Sequence, residues 1–397
     1  STWQQAGRAG RTNAESLAVL VAYNDPIDQY LVRHPDYFFG RSHEHAVIDP
    51  HNEAILAAQL RCAASELTLD GQNSGVFGPD TVAFCRSLAE RDADRGWWHD
   101  ALADAFRYHS PGGTIAAAKV NLRNISETTY AIVDATGGRA EVIGNVDAIS
   151  APELVYPQAI YLHEGQSYIV RSLDLEGKVA RVERAEVDYY TQPVLADSCR
   201  VVETRRAEDY LGGRKHFGVV DVTWQTIAFK KIKYYTMEVV GQTALNLPAR
   251  TIRTQALWVQ PPPQILEQLR REGLVPVEGL VGVRNLMLAV LPLMAMSDRQ
   301  DISGLVDGAH FAPPAMFVYD RYPGGVGYAR QGYERLDDLL AMCRVLVGEC
   351  PCAEGCPSCV GLANLRPPQH ADPDLSRGYA IPNKRAARRI LEGWLAD

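Results

Sequence analysis

The chain lacks the two motifs by which a nucleotide-driven motor grips its fuel. Neither G-x-x-x-x-G-K-[ST] nor Asp-Glu-x-His occurs in its 397 residues, so as it stands it should not hydrolyse ATP. It also lacks an apolar run of the ~18 residues that span a bilayer. The longest such run, Leu286 to Met296, contains Pro292 and reads as a buried helix, so no membrane partner is expected. Positive charge is not in excess: the net charge is −8, which argues against a generic basic coat for nucleic acid but permits a local groove. Ser1-Thr-Trp-Gln-Gln is polar, so no secretory segment is expected, and the missing initiator Met suggests a processed or excised chain,. No internal repeat is found, and no Ser/His/Asp or Cys/His pair has a spacing that suits nucleophilic catalysis. Cysteine is scarce outside one cluster. Cys62, Cys85, Cys199 and Cys343 are scattered and read as free thiols, which fits a reducing cytoplasm,.

What is present is concentrated near the carboxy end. Cys350-Pro-Cys352-Ala-Glu-Gly-Cys356-Pro-Ser-Cys359 places four thiols in ten residues, spaced C-x-C-x3-C-x2-C. Four thiolates at about 2.3 Å from one ion satisfy tetrahedral zinc and leave no open coordination position. Such a site is structural, not hydrolytic. A 4Fe–4S cluster uses the same donors, two disulfides are a further alternative, and Cys343 could substitute for one ligand.

Composition is ordinary for a globular protein, with 46% hydrophobic and 22% charged residues, and the length predicts roughly two to four domains. Ser16 to Ala22 reads as a strand and Asp25 to Arg33 as a short helix, like the last piece of an α/β layer. Residues 34–50 read as an extended linker. Helices are expected from Asn52 and over 80–91, then Trp97-Trp98, a short helix and a Pro-Gly-Gly turn at 111–113,. This order resembles a winged-helix module. Residues 115–260 are strand-dominated and suggest a barrel or strongly bent sheet. Helical periodicity returns after Pro261-Pro-Pro263, over 264–272, 279–297 and 326–347, with a strand at Ala315 to Tyr319 and a last helix from Pro382 to Leu391. The expected fold is α+β and multidomain, divided at 1–38, 39–114, 115–260 and 261–397.

Five further features bear on possible chemistry. Gln4-Gln-Ala-Gly7-Arg8-Ala-Gly10-Arg11 has the pattern Q-x-x-G-R-x-G-R and resembles a helicase motif VI, in which glycines permit a tight backbone and the planar guanidinium forks of two arginines stabilise a transferring phosphoryl group,. Tyr319 to Ala329 is a Gly-rich turn between a strand and a helix. It is a phosphate loop or, more simply, a tight turn in which Asp320 caps the helix or bonds the amides. Arg205, Arg206, Arg214, Lys215, Lys230, Lys231 and Lys233 interleave with aromatics including Tyr234 and Tyr235, and could track a nucleic-acid backbone,. Lys384, Arg385, Arg388 and Arg389 on the last helix read as a solubilising surface. His43-Glu-His45 with His51 is a weak metal motif.

Together these residues resemble the superfamily 2 DNA helicases that carry a carboxy-terminal tetracysteine module, of the mycobacterial and mitomycin-repair-factor type, related to fungal RecQ-four-like enzymes. The resemblance rests on Gln4 to Arg11 as motif VI, His34 to Asn52, Arg61 to Glu66, Asp320 to Gly327 and Cys350 to Cys359. It implies ATP-driven 3′-to-5′ translocation on single-stranded DNA and duplex unwinding at junctions, in repair. It makes the four cysteines zinc ligands, and Gln4, Arg8 and Arg11 contacts to ATP. Both nucleotide-binding motifs and most of both motor domains are missing, so ATP and Mg2+ would belong to a longer parent with its motor upstream in the same polypeptide. The rival expectation is a self-contained, non-enzymatic zinc-stabilised DNA-binding or adaptor protein.

Overall fold

Prolines and capping side chains set where the first helices begin. In the computed structural model, which describes residues 6–10, 15–40, 47–50, 52–91, 96–120, 128–138, 140–236, 238–361 and 380–395, Asp25 accepts the amides of Ile27 and Asp28 to start helix α1 (Pro26–Arg33). Its proline holds the first helical position, where a missing N–H leaves nothing unpaired. Helix α2 (Pro35–Phe39) follows, inside a stretch predicted to be extended. Ser16 to Ala22, predicted as a strand, joins no sheet among the described residues, and Leu17 and Val21 are exposed. A strand is defined by its neighbours, and no described segment pairs with this one. The segment that follows is fastened to the other end of the chain. His34 Nε2 lies 2.8 Å from a Glu349 carboxylate oxygen, and the Tyr37 hydroxyl donates to the Leu293 carbonyl at 3.4 Å.

Helices α3 (Glu53–Glu66) and α4 (Thr81–Arg91) pack on an antiparallel hairpin of β1 (Trp97–Asp100) and β2 (Ala105–Tyr108) around Leu60, Cys85, Leu88, Trp97 and Phe106. The short helix predicted after Trp97-Trp98 is replaced by this hairpin. Trp97 and Phe106 point inward while Trp98 and Arg107 are exposed, an alternation that only a strand can satisfy,.

The β-rich middle consists of two sheets. The first has the order β4-β3-β7-β6-β5, built from β3 (Thr129–Asp134), β4 (Glu141–Asp147), β5 (Ile160–His163), β6 (Gln166–Asp174) and β7 (Val179–Arg184). A one-turn helix, α5 (Ala151–Leu154), covers its core of Tyr130, Ile132, Tyr156, Val170 and Val182. The second sheet is dominated by an arm of two very long strands, β8 (Tyr189–Tyr210) and β9 (Gly213–Lys233), 22 and 21 residues long. Straight, such a strand would reach about 70 Å. Bulges at Val194/Leu195, Val201/Glu203 and Thr204/Arg206 bend it,. The strands β10 (Val239–Ala244) and β11 (Arg250–Gln260) pair with β9.

Helices α6 (Pro263–Arg271) and α7 (Pro276–Ala295) follow, then β12 (Ile302–Asp307) and β13 (Ala315–Asp320). Because β13 pairs with β11 and β12 with β13, the sheet continues through the division predicted at 260/261. The helix predicted over 326–347 is two, α8 (Tyr328–Glu334) and α9 (Leu336–Glu349), separated where Arg335 leaves helical geometry. Helix α10 (Lys384–Trp394) is capped by Asn383, which accepts the Ala386 amide.

Alternation along β11 divides the cores. Leu257 and Val259 face the helices, while Ala256 and Trp258 face the opposite cluster with Val220, Trp224 and Phe317. Helix α7 is apolar on all sides and long enough to cross a membrane by composition alone. However, sixteen of its 20 residues are buried in the protein, so it is a core helix here,. Gly279 and Gly282 let α10 approach closely: a Cβ on either would come within about 3 Å of Ala386 or Ala387.

Candidate metal centre and nucleic-acid surfaces

The four clustered cysteines converge. Helix α9 ends at Cys350, and Pro351 and Pro357 prevent its continuation,. Gly355, at φ +130, makes a turn closed to other residues both by its backbone angle and by Val360, 2.8 Å from where a Cβ would sit,. The amides of Cys359 and Val360 both donate to the Cys356 carbonyl, folding the last two thiols together. The Sγ···Sγ separations are 3.6 Å (Cys350–Cys352), 3.5 Å (Cys350–Cys356), 3.5 Å (Cys352–Cys359) and 3.7 Å (Cys356–Cys359). A tetrahedron of Zn–S bonds of about 2.3 Å has edges of about 3.8 Å, close to these four separations, and all four sulfurs lie within 4.8 Å of one another. A disulfide needs about 2.05 Å, and all eight cysteines are free. A 4Fe–4S core would force the thiolates much further apart than a single ion does. The donor set therefore fits one zinc ion. Cys343, the possible substitute, is fully buried in α9 and outside the converging set, and burial pushes its thiol up.

The knot is held from several sides. Lys384, buried at the start of α10, donates Nζ to the carbonyls of Cys350 and Cys352, both at 2.6 Å. Its backbone amide reaches Glu354. Asn285 of α7 donates to the Val360 carbonyl at 2.8 Å, and Ser358 bonds Asn24 next to α1. Lys384 was grouped by sequence with a solubilising surface, and this is a correction. Its helical phase, three and seven residues before the buried Ala387 and Leu391, carried the signal,. A buried ammonium beside four thiolates also offsets part of the net −2 of a zinc tetrathiolate.

The Gly-rich turn is structural. Asp320, fully buried, accepts the amides of Val326 (2.7 Å), Gly327 (2.9 Å) and Tyr328 (3.3 Å) on one oxygen and Ala329 (2.8 Å) on the other. The donors that would cradle a phosphate are already occupied by this carboxylate. Burial pushes the Asp320 carboxyl up to about 6, against the pull of its four amide donors,. The turn also seats the winged-helix module. Asn52, the cap of α3, donates to the carbonyls of Pro323 and Gly325, and Gln255 donates to Gly324 and Asp49.

Of the motif VI candidates, Gln4 and Arg11 lie outside the described residues, as do His43, His45 and His51. Arg8 is exposed on a turn. The seven basic candidates divide between the two ends of the arm. At its turn, Arg205 pairs with Glu203, Arg206 with Glu334, Arg214 with Asp209 and Lys215 with Glu208. Lys215 also lies 4.8 Å from the centre of the Tyr333 ring. The Tyr210 hydroxyl donates to Asp337 at 2.6 Å, and Trp394 donates to the Tyr210 carbonyl. This end is pinned to α8, α9 and α10. At the other end no carboxylate among the described residues pairs with Lys230, Lys231 or Lys233; Lys231 instead lies 5.4 Å from the centre of the Tyr189 ring.

Comparison with known proteins agrees with this geometry. The family described as "MrfA Zn-binding domain" matches residues 283–360, and that described as "ATP-dependent helicase HRQ1, winged helix domain" matches residues 48–125. The chain is 37% identical over 371 residues to an uncharacterized ATP-dependent helicase, YprA, of Bacillus subtilis, covering 91% of this chain and 47% of that one. It is 27% identical over 380 residues to the ATP-dependent helicase HRQ1 of Saccharomyces cerevisiae, covering 90% of this chain and 34% of that one. A crystal structure of the DUF1998 helicase MrfA bound to DNA superimposes with a TM-score of 0.57 at 33% identity, covering 98% of this chain and 49% of that one. The chain thus spans about half or less of the length of the relatives it matches. In sequence and fold alike, it is similar to the carboxy-terminal part of MrfA-type superfamily 2 helicases, with their winged-helix and zinc-binding domains.

Proposed function

We propose that this chain serves as the carboxy-terminal accessory region of an ATP-dependent superfamily 2 DNA helicase, acting in the cytoplasm and in DNA repair. The supporting observation is one of extent. The chain follows a helicase over 91% of its own length yet spans 47% of that helicase, and it lacks the nucleotide-binding motifs. The motor would lie upstream in the same polypeptide and bind ATP and Mg2+. Gln4, Arg8 and Arg11 then act as motif VI, the guanidinium groups of the two arginines stabilising charge on the γ-phosphoryl group during transfer. The exposed position of Arg8 suits a side chain that reaches to a neighbouring domain, and the exposed apolar run from Leu17 to Val21 suits a strand completed by an upstream sheet.

Downstream, Cys350, Cys352, Cys356 and Cys359 ligate a structural zinc that fixes α9, α10 and the arm as one body. The winged-helix module, the arm and the zinc module guide single-stranded DNA and the duplex junction past the motor, 3′ to 5′. Strand displacement by the longer polypeptide tests this. A duplex with a 3′ tail should be unwound and one with a 5′ tail should not. Arg11→Ala should slow ATP hydrolysis by about 10³-fold or more. Equal unwinding of both substrates, or an Arg11→Ala variant as active as the parent, would reject the reading.

A further inference from the structure

The two ends of the arm carry similar numbers of cations but differ in what those cations are free to do. Around the turn, all four candidates are bound to carboxylates. At the open end, Lys230, Lys231 and Lys233 have no such partner among the described residues. Cross-strand register sets Tyr189 opposite Lys233 and Thr191 opposite Lys231, so Lys231, Lys233 and Tyr189 share one face of the sheet,. Beyond Lys233 the chain turns through Tyr234 and Tyr235. The Tyr234 ring lies 5.7 Å from that of Tyr190 and 6.5 Å from that of Tyr235. Tyr235 is 101% exposed and has φ +67, a left-handed backbone that disfavours so large a side chain and presents its ring to solvent,.

We propose that this open end, formed by Tyr189, Lys231 and Lys233 on one face of the sheet with Tyr235 at the turn beyond them, is a contact site for single-stranded DNA. The inference rests on the helicase reading above and deepens it. Ammonium groups without a carboxylate partner attract phosphates even in a chain of net charge −8,. An exposed tyrosine ring offers a stacking face to any base, whatever the sequence. Duplex DNA keeps its bases stacked on one another, so a site that combines stacking with phosphate contact selects for single strands. The turn end is less suited, because its cations already have carboxylate partners and its Tyr210 and Tyr333 rings are packed.

The test is fluorescence anisotropy of the full 397-residue chain with a labelled oligothymidylate, across about 50 to about 200 mM salt. Replacing Lys231 and Lys233 together by Gln should lower the slope of log affinity against log salt by about 1.4, since each single-strand phosphate contact contributes about 0.7. Tyr235→Ala should weaken binding about tenfold and leave that slope unchanged. Replacing Arg205 and Arg206 by Gln should change affinity less than about twofold. Circular dichroism melting of each variant separates lost contact from lost fold. The site is overturned if the lysine and Tyr235 variants bind like the parent, if binding is lost with Arg205 and Arg206 instead, or if the chain binds no oligothymidylate. None of these outcomes bears on strand displacement by the longer polypeptide, so failure here and failure of the helicase reading are distinguishable.

Discussion

The tetracysteine knot and the open end of the arm are both groups of polar residues close in sequence, yet they face opposite ways. In the knot, four sulfurs converge within 4.8 Å of one another, and the carbonyls of Cys350 and Cys352 are taken by Lys384. At the open end, three lysines lack carboxylate partners among the described residues, and Tyr235 projects into solvent. The first arrangement spends its polar groups on its own chain and so fixes shape. The second leaves them for something outside. Donor number alone does not separate the two classes; the fraction already satisfied does.

Four substitutions sharpen this contrast. A structural zinc contributes on the order of 10–16 kcal/mol to its module, so the largest effect is expected from Cys356→Ser. It should lose zinc by elemental analysis and fall out of the soluble fraction; a zinc-free variant that melts like the parent would remove the knot from the structural class. Next is Asp320→Asn, which weakens the shared acceptor of four buried amides. It should cost about 2–3 kcal/mol, seen as a lower urea midpoint with an unchanged m-value. Lys384→Met strands two carbonyls and removes a buried cation, so about 1–3 kcal/mol of stability and a faster loss of zinc to chelator are expected,. An unchanged rate of zinc loss would mean that Lys384 fills space only. The smallest effect on stability belongs to the open end, where Tyr235→Ala should stay within about 0.5 kcal/mol of the parent in thermal melting. A large loss there would mean that the ring supports the fold and is not held in reserve.

The sequence exposed these regions unequally, for a physical reason. The convergence of the four cysteines was legible because such geometry is set by spacing along a short segment. Asp320 was legible for the same reason, since it caps a helix that starts within ten residues. The burial of Lys384 was signalled by its helical phase, but its partners were not, because they depend on α10 lying against a loop more than 30 residues earlier. The basic residues of the arm were visible as charges. Their partners were not, since Arg206 meets Glu334 and Tyr210 meets Asp337 only after the arm has folded onto α8 and α9. Ser16 to Ala22 has strand composition, but no described segment pairs with it. β12 went unseen because Gly304 and Ser303 break its apolar pattern, and Gly304 is required where Arg284 and the Phe317 carbonyl crowd the backbone.

DNA-stimulated ATP hydrolysis by the longer polypeptide, with its upstream motor in place, tests the central claim most directly. The account predicts that single-stranded DNA raises the rate well above the DNA-free value and that this chain alone hydrolyses no ATP. A longer polypeptide whose rate is indifferent to DNA would contradict it.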